Sequence, residues 1–287
     1  MKRDHAPLDD RIRRVYAELS ATDRKLADVV LARQKDLLGY SATELAGLAG
    51  VSKASAARFF RRLGYAGFSE FRQHIRARMS QQSPLARIGQ ADPRQAALLQ
   101  LQSHVQSDIA RLAHLPEALT EEVLEQAIGL LLSARRVAVV GYRNGCMTAF
   151  YANALLSQLR ADVYQLNEIA GREAELLAEL NDKDLLLAVD FRRRTHRLPR
   201  IVAAARNAGA QVLLLTDARI SALATQAAVV LYCPKETEQV FDSYVTAVSL
   251  INFLATSMAA RNRKKARDRM TQIERAHAAL ADLEIES

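Results

Sequence analysis

The second half of the sequence constrains the fold most. Five short apolar runs follow one another: RVAVVG (136–141), ADVYQL (161–166), DLLLAVD (184–190), AQVLLLTD (210–217) and AAVVLYCP (227–234). Segments with helical periodicity separate the first four, at about 146–159, 171–180 and 198–208. A shorter segment, 219–225, separates the last two. Near-continuous apolar strands alternating with helices imply a parallel sheet buried on both faces. The spacing therefore predicts an α/β domain with a five-stranded parallel, flavodoxin-like sheet. In such a sheet, ligands bind beyond the carboxyl ends of the strands, where strand order reverses. For the order 2-1-3-4-5 that point lies between the first and third strands. The loops there are GYRNGCMT and DFRRRTHR.

The first half differs. Residues 9–78 show helical spacing throughout, beginning with a helix over 10–19. Ser20 is a candidate N-cap for the next helix, with Asp23 three residues on. Pro, Gly and polar residues over 81–93 mark a linker. Helices are expected over 94–114 and 120–133, another over 243–260, and a basic helical tail to the end. The expected division is a helix-turn-helix domain (1–80), a linker and connecting helix (81–119), the α/β domain (120–262) and the tail (263–287).

Charge divides along the same boundary. Residues 1–85 carry 16 Lys/Arg against 9 Asp/Glu, while the other 202 residues carry 24 against 23. A compact basic segment on a neutral body points to a polyanionic partner. The N-terminus lacks the apolar core of a signal peptide. AVSLINFLATSMAA is too short for a bilayer span of roughly 20 residues. A cytoplasmic protein without membrane contact is expected. Cys146 and Cys233 stand far apart, the histidines form no H-x-x-x-H pair, and neither metal nor cofactor is expected.

TELAGLAGVSKASAARFF has the spacing of a helix-turn-helix. Gly50 suits the tight turn, Val51 plugs the interhelical angle, and Ser52 caps the second helix. Ala56, Phe59 or Phe60, and Leu63 would face the core. Lys53, Ser55, Arg58 and Arg62 would then face outward, able to reach a major groove. The candidate DNA-binding set is Thr43, Ser52, Lys53, Ser55, Ala57, Arg58, Arg61 and Arg62. An ordinary basic helical hairpin is the alternative.

Residues 19–75, ending RLGYAGFSEFR, resemble the N-terminal domain of the RpiR/MurR transcriptional regulators. The resemblance implies a five-helix DNA-binding domain followed by a SIS (sugar isomerase) domain that senses a phosphosugar. It also implies double-stranded DNA with a pseudo-palindromic operator, a homodimer or homotetramer, and a small anionic effector as partners. SIS domains usually carry a Gly-x-Gly-x-Ser-like first loop and a Ser-rich second loop. This chain departs in both. Arg143 stands where the next Gly is expected and Cys146 near the expected Ser. Asp190, Arg192, Arg193 and Arg194 replace the hydroxyls, leaving Thr195.

Two readings of DFRRRTHR stay open. The arginines form an anion clamp, Arg143 converging with Arg192 or Arg194, or they form a solvated rim or interface. The candidate effector set is Arg143, Asn144, Cys146, Asp190, Arg192, Arg194, Thr195, Glu238 and Ser243. Glu238 could reach a partner subunit's crevice, and Ser243 could cap the last helix of the α/β domain. Cys146 is expected as a packed small residue. The tail cluster Arg261, Arg263, Lys264, Lys265, Arg267 and Arg269 is expected as a solvated face. No catalytic residue is expected. An isomerase would need a base among Glu168, Glu173, His196 and Glu238. The other alternative is an α/β domain that only oligomerises.

Overall fold

The computed structural model describes residues 8–16, 18–32, 37, 40–81, 88, 96–167, 171–192, 194–218, 221, 223–234 and 239–281. It divides into two compact units. The first comprises residues 1–95 with the short segments 219–222 and 238–241, and the second comprises the remainder. The expected linker at 81–93 lies almost wholly outside the described residues.

Among the described residues, the first unit holds the helices α1 (Leu8–Tyr16), α2 (Ala21–Ala32), α3 (Ala42–Leu48), α4 (Lys53–Arg62) and α5 (Phe68–Gln81). The first ends three residues earlier than expected. Its chain turns on hydrogen bonds from Glu18 N to Val15 O and from Leu19 N to Tyr16 O. Ser20 caps α2 through Asp23 N at 3.1 Å. Ser41 and Glu44 form a reciprocal capping box at the start of α3. The core is aromatic. Phe60 meets Phe71, Phe68 and Phe59 at ring-centroid separations of 4.7, 5.1 and 5.4 Å.

The second unit opens with α6 (Ala97–His114) and α7 (Glu121–Ser133), the latter capped by Thr120 through Val123 N. Then follow β1 (Val137–Gly141), α8 (Asn144–Leu159), β2 (Val163–Gln165), α9 (Glu173–Ala178) and β3 (Leu185–Asp190). The chain continues through α10 (Arg197–Asn207), β4 (Gln211–Thr216), β5 (Val229–Tyr232), α11 (Val245–Arg261) and α12 (Arg263–Leu280). Where a shorter segment was expected between β4 and β5, a single 3-10 turn lies at Ala224–Gln226.

The five strands are parallel in the order β2-β1-β3-β4-β5, with Gly141 beside Val189 and Asp190 beside Thr216. Alternate residues fill two cores. Val137, Val139, Leu187 and Leu213 pack with α7, α8 and α11. Ala138, Val140, Leu186 and Leu214 pack with α10 on the other face. Burial on both faces explains why the strand sequences are continuous rather than alternating. This arrangement brings the ends of β1, β3 and β4 side by side.

Candidate functional site

The first candidate surface is α4. Gly50 adopts φ +63°, and Val51 N reaches back to Ala46 O at 2.9 Å, closing α3. Ser52 caps α4 through Ser55 N at 3.2 Å. Lys53, Arg58 and Arg61 are exposed, with Ala57 partly exposed between them and Thr43 exposed on α3. Ala54, absent from the expected set, shares that outer face.

Two assigned residues are positioned differently. Ser55 is buried, and its hydroxyl contacts Ser52 Oγ and accepts from Arg58 Nη2 at 3.2 Å. Its place on the outward face is therefore corrected: it lies about 40° from Phe59 around the helix, on the side of the core. Arg62 is exposed but tied back to Asp23 at 3.4 Å and to the Glu18 carbonyl at 3.1 Å.

The second candidate surface is the crevice at the carboxyl ends of β1 and β3. Gly141 closes β1, and a Cβ there would overlap the Gly145 carbonyl oxygen and lie 2.7 Å from its carbon. That contact brings α8 onto the strand end. Arg143, exposed before α8, adopts φ 56° and ψ −129°. Side chains other than Gly rarely adopt such a backbone, at a cost of about 1–3 kcal/mol. An arginine stands where the resemblance to SIS domains implied a glycine, in a backbone conformation that glycine adopts without strain. Arg143→Gly should therefore raise the stability of this unit by about 1 kcal/mol, the strain exceeding glycine's entropy cost. Urea denaturation followed by circular dichroism measures it, and a loss of stability would refute the strain.

Beyond β3, the expected arginine fork closes on the protein itself. Arg194 Nε donates to Asp190 Oδ2 at 2.7 Å, and Nη2 donates to Asp217 Oδ1. Nη2 also lies 3.4 Å from both Thr216 Oγ1 and Asp190 O. Burial opposes the charge, but Asp217 and Asp190 outweigh it and raise the pKa of the guanidinium. Arg192 donates its backbone N–H to Asp217 Oδ2 at 3.2 Å and Nη1 to Asp242 Oδ2 at 3.5 Å. Arg192 and Arg194, expected as an anion clamp or as a solvated rim, thus each face carboxylates of the chain itself. Asp190, an expected site residue, is the counter-ion that holds Arg194.

The other candidates divide. Thr195 Oγ1 accepts from Leu198 N at 3.4 Å, and Ser243 Oγ accepts from Val245 N at 3.3 Å. Both hydroxyls serve helix starts. Asn144 is exposed. Burial first, then Asp242, raises the Tyr244 pKa, and the Asn144 side chain acts to lower it. Cys146 is partly buried, its sulfur 3.7 Å from Asn167 Nδ2, which also donates to Gly141 O at 2.7 Å. Glu238, Glu168 and Arg193 lie outside the described residues.

The sequence reading missed Asp217, Asp242, Tyr244 and Asn167. Asp217 was findable, because it follows β4 as Asp190 ends β3. Nearby, Glu173 is buried, accepts from Tyr142 at 3.0 Å and pairs with Arg197. Burial and that hydrogen bond push the Tyr142 pKa up to about 12. In the tail, Arg261 pairs with Glu125, and Arg269 Nε reaches Ser157 O at 3.2 Å. Arg263, Lys264, Lys265 and Arg267 are exposed. Among the described residues, no cluster of metal-ligating side chains occurs, and no helix is long and apolar enough to cross a membrane.

Residues 7–82 match the helix-turn-helix domain of the rpiR family, and residues 130–257 match the SIS domain. The chain belongs to the RpiR family. The family assignment agrees with relatives that span nearly the whole chain. The HTH-type transcriptional regulator HexR of Escherichia coli is 24% identical over 93% of each chain. HexR of Pseudomonas aeruginosa is 27% identical over 85% of this chain and 86% of its own. In fold, this RpiR-family chain is similar to Vibrio vulnificus NanR, solved in complex with ManNAc-6P. That likeness has a TM-score of 0.59 at 20% identity and covers 96% of this chain and 99% of NanR. The chain is a transcriptional regulator of the RpiR type with a SIS domain.

Proposed function

We propose that the N-terminal helices read a pseudo-palindromic operator and that the SIS domain binds a small sugar-derived effector which changes operator affinity. The carrying observation is the outer face of α4, where Lys53, Arg58 and Arg61 stand exposed beyond a capped turn. Such a helix fits a major groove, with its arginines able to bind guanine bidentately. The effector belongs at the β1/β3 crevice. It acts by binding the DNA-competent and DNA-incompetent states unequally.

A homodimer or homotetramer matches a two-fold operator. Leu98, Leu101, Val105 and Ile109 form an exposed apolar stripe on α6 that suits self-association. The NanR complex with ManNAc-6P supports a sugar-derived effector. An acidic effector has less support, because Arg192 and Arg194 already face carboxylates. Catalysis is disfavoured: Glu173 is held by Tyr142 and Arg197, and His196 is exposed at the start of α10.

Arg58→Ala should weaken specific operator binding by about 1–3 kcal/mol, roughly 5- to 150-fold. Fluorescence anisotropy with an operator selected in vitro reads this directly. Unchanged affinity would remove Arg58 from base readout. Uniform weakening on every sequence would assign it to phosphate contact instead.

A further inference from the structure

We infer that the crevice between β1 and β3 takes a polyhydroxylated ligand with at most one negative charge: a sugar, polyol or sugar carboxylate rather than a phosphomonoester. The inference rests on the effector-sensing proposal above and narrows its ligand class.

Three carboxylates from separate segments converge there. Asp190 ends β3, Asp217 follows β4 and Asp242 precedes α11. Asp190 and Asp217 are almost fully buried, with side chains 3% and 2% exposed. Two guanidiniums face them, Arg194 between Asp190 and Asp217, and Arg192 toward Asp242. With Arg143 exposed at the mouth, three carboxylates stand against three guanidiniums among the described residues.

A phosphomonoester brings a charge of about −1.5 to −2 at neutral pH. It needs uncompensated cations or clustered donors. Here the two guanidiniums are spent on carboxylates. The Thr195 and Ser243 hydroxyls accept helix-start N–H groups. A sugar hydroxyl suits the same surface better, because it both donates and accepts. Asp242 and Arg192 keep part of their surface exposed, so the carboxylate can accept an O–H donor in a short, charge-assisted bond and the guanidinium can donate in return, without breaking the buried Asp190–Arg194–Asp217 pairs. The half-buried Tyr244 ring, set edge-on to Phe191 at 5.3 Å, adds a flat apolar wall for the C–H face of a ring.

Two measurements on the full-length chain test this. The first is calorimetric titration with matched pairs: glucose and glucose 6-phosphate, gluconate and 6-phosphogluconate, N-acetylmannosamine and its 6-phosphate. The second is thermal denaturation of wild type and Asp242→Asn with and without millimolar inorganic phosphate. In any pair that binds, the unphosphorylated member should bind at least tenfold more tightly. Phosphate should leave the wild type unmoved and stabilise Asp242→Asn, where Arg192 loses a counter-charge.

Tighter binding of a phosphorylated member overturns the ligand class while leaving the sensor proposal intact. If no pair binds, the sensor proposal loses its support and the phosphate measurement alone decides the charge argument. Phosphate stabilisation of the wild type, or none in Asp242→Asn, overturns that argument.

Discussion

Phe60→Ala should unfold the DNA-binding unit at far lower temperature and leave the SIS unit untouched. Phe60 is fully buried, with Phe59, Phe68 and Phe71 around it. Truncation removes the ring's transfer energy and leaves a cavity that three stiff aromatics fill poorly. The expected cost is about 3–5 kcal/mol. A domain of this size holds only about 4–11 kcal/mol in total, so the variant loses about a quarter of its stability at the least and all of it at the most. At about 4–8 °C per kcal/mol, its transition should fall by roughly 12–40 °C. Phe60 belongs to a core built wholly from residues 8–75, whereas the sheet has its own two cores. Calorimetry should therefore show one displaced transition and one unchanged. Operator binding should vanish at temperatures between the two. A shift below about 5 °C would mean the aromatic cluster carries little of the domain's stability. Equal shifts of both transitions would mean the units unfold as one.

The sheet was legible because a buried parallel strand leaves an unambiguous mark. LLLAVD and VLLLT offer no polar face, and the intervening helices fix the parallel sense. The turn at Gly50 was legible because positive φ selects glycine and Ser52 must cap the helix after it. Ser55 was misplaced because it is short and polar, and polarity suggested an outward side chain. Its position three residues after the cap puts it over the core, where the cap and Arg58 satisfy its hydroxyl.

The loop DFRRRTHR was located correctly and only half interpreted. Arg192 and Arg194 stand two residues apart in sequence, but the acids that neutralise them come from β3, the residue after β4 and the approach to α11. No local pattern reveals pairing between residues 194 and 217 or between 192 and 242. Only the register, with Asp190 beside Thr216, brings Asp217 into reach. The same limit applies to Arg143. The departure from a glycine pattern was visible, but the backbone conformation that favours glycine was not.

Gly141→Ala should destabilise the SIS unit by about 3 kcal/mol or more, at the upper end of overpacking costs. The added methyl would meet backbone, the Gly145 carbonyl oxygen and carbon, with Ala149 Cβ a further obstacle at 3.1 Å. No rotamer change relieves a clash with backbone, so either α8 moves away from β1 or β1 leaves its register with β3. Both strain the crevice. Moving α8 displaces Arg143 and Asn144, and moving Gly141 breaks the hydrogen bond from Asn167 to its carbonyl. Gly145→Ala supplies the control. A Cβ there would meet only Val189 at 3.4 Å, ordinary contact, and an alanine favours the helix by up to about 1 kcal/mol. Calorimetry should show the second transition lowered by the first substitution and nearly unmoved by the second. Equally small effects would mean that the glycine pair tolerates a side chain at either position, and that the approach of α8 to β1 is not what shapes the crevice. The expected asymmetry would instead locate the constraint at Gly141. Arg143 would then hold its strained backbone because α8 can begin nowhere else.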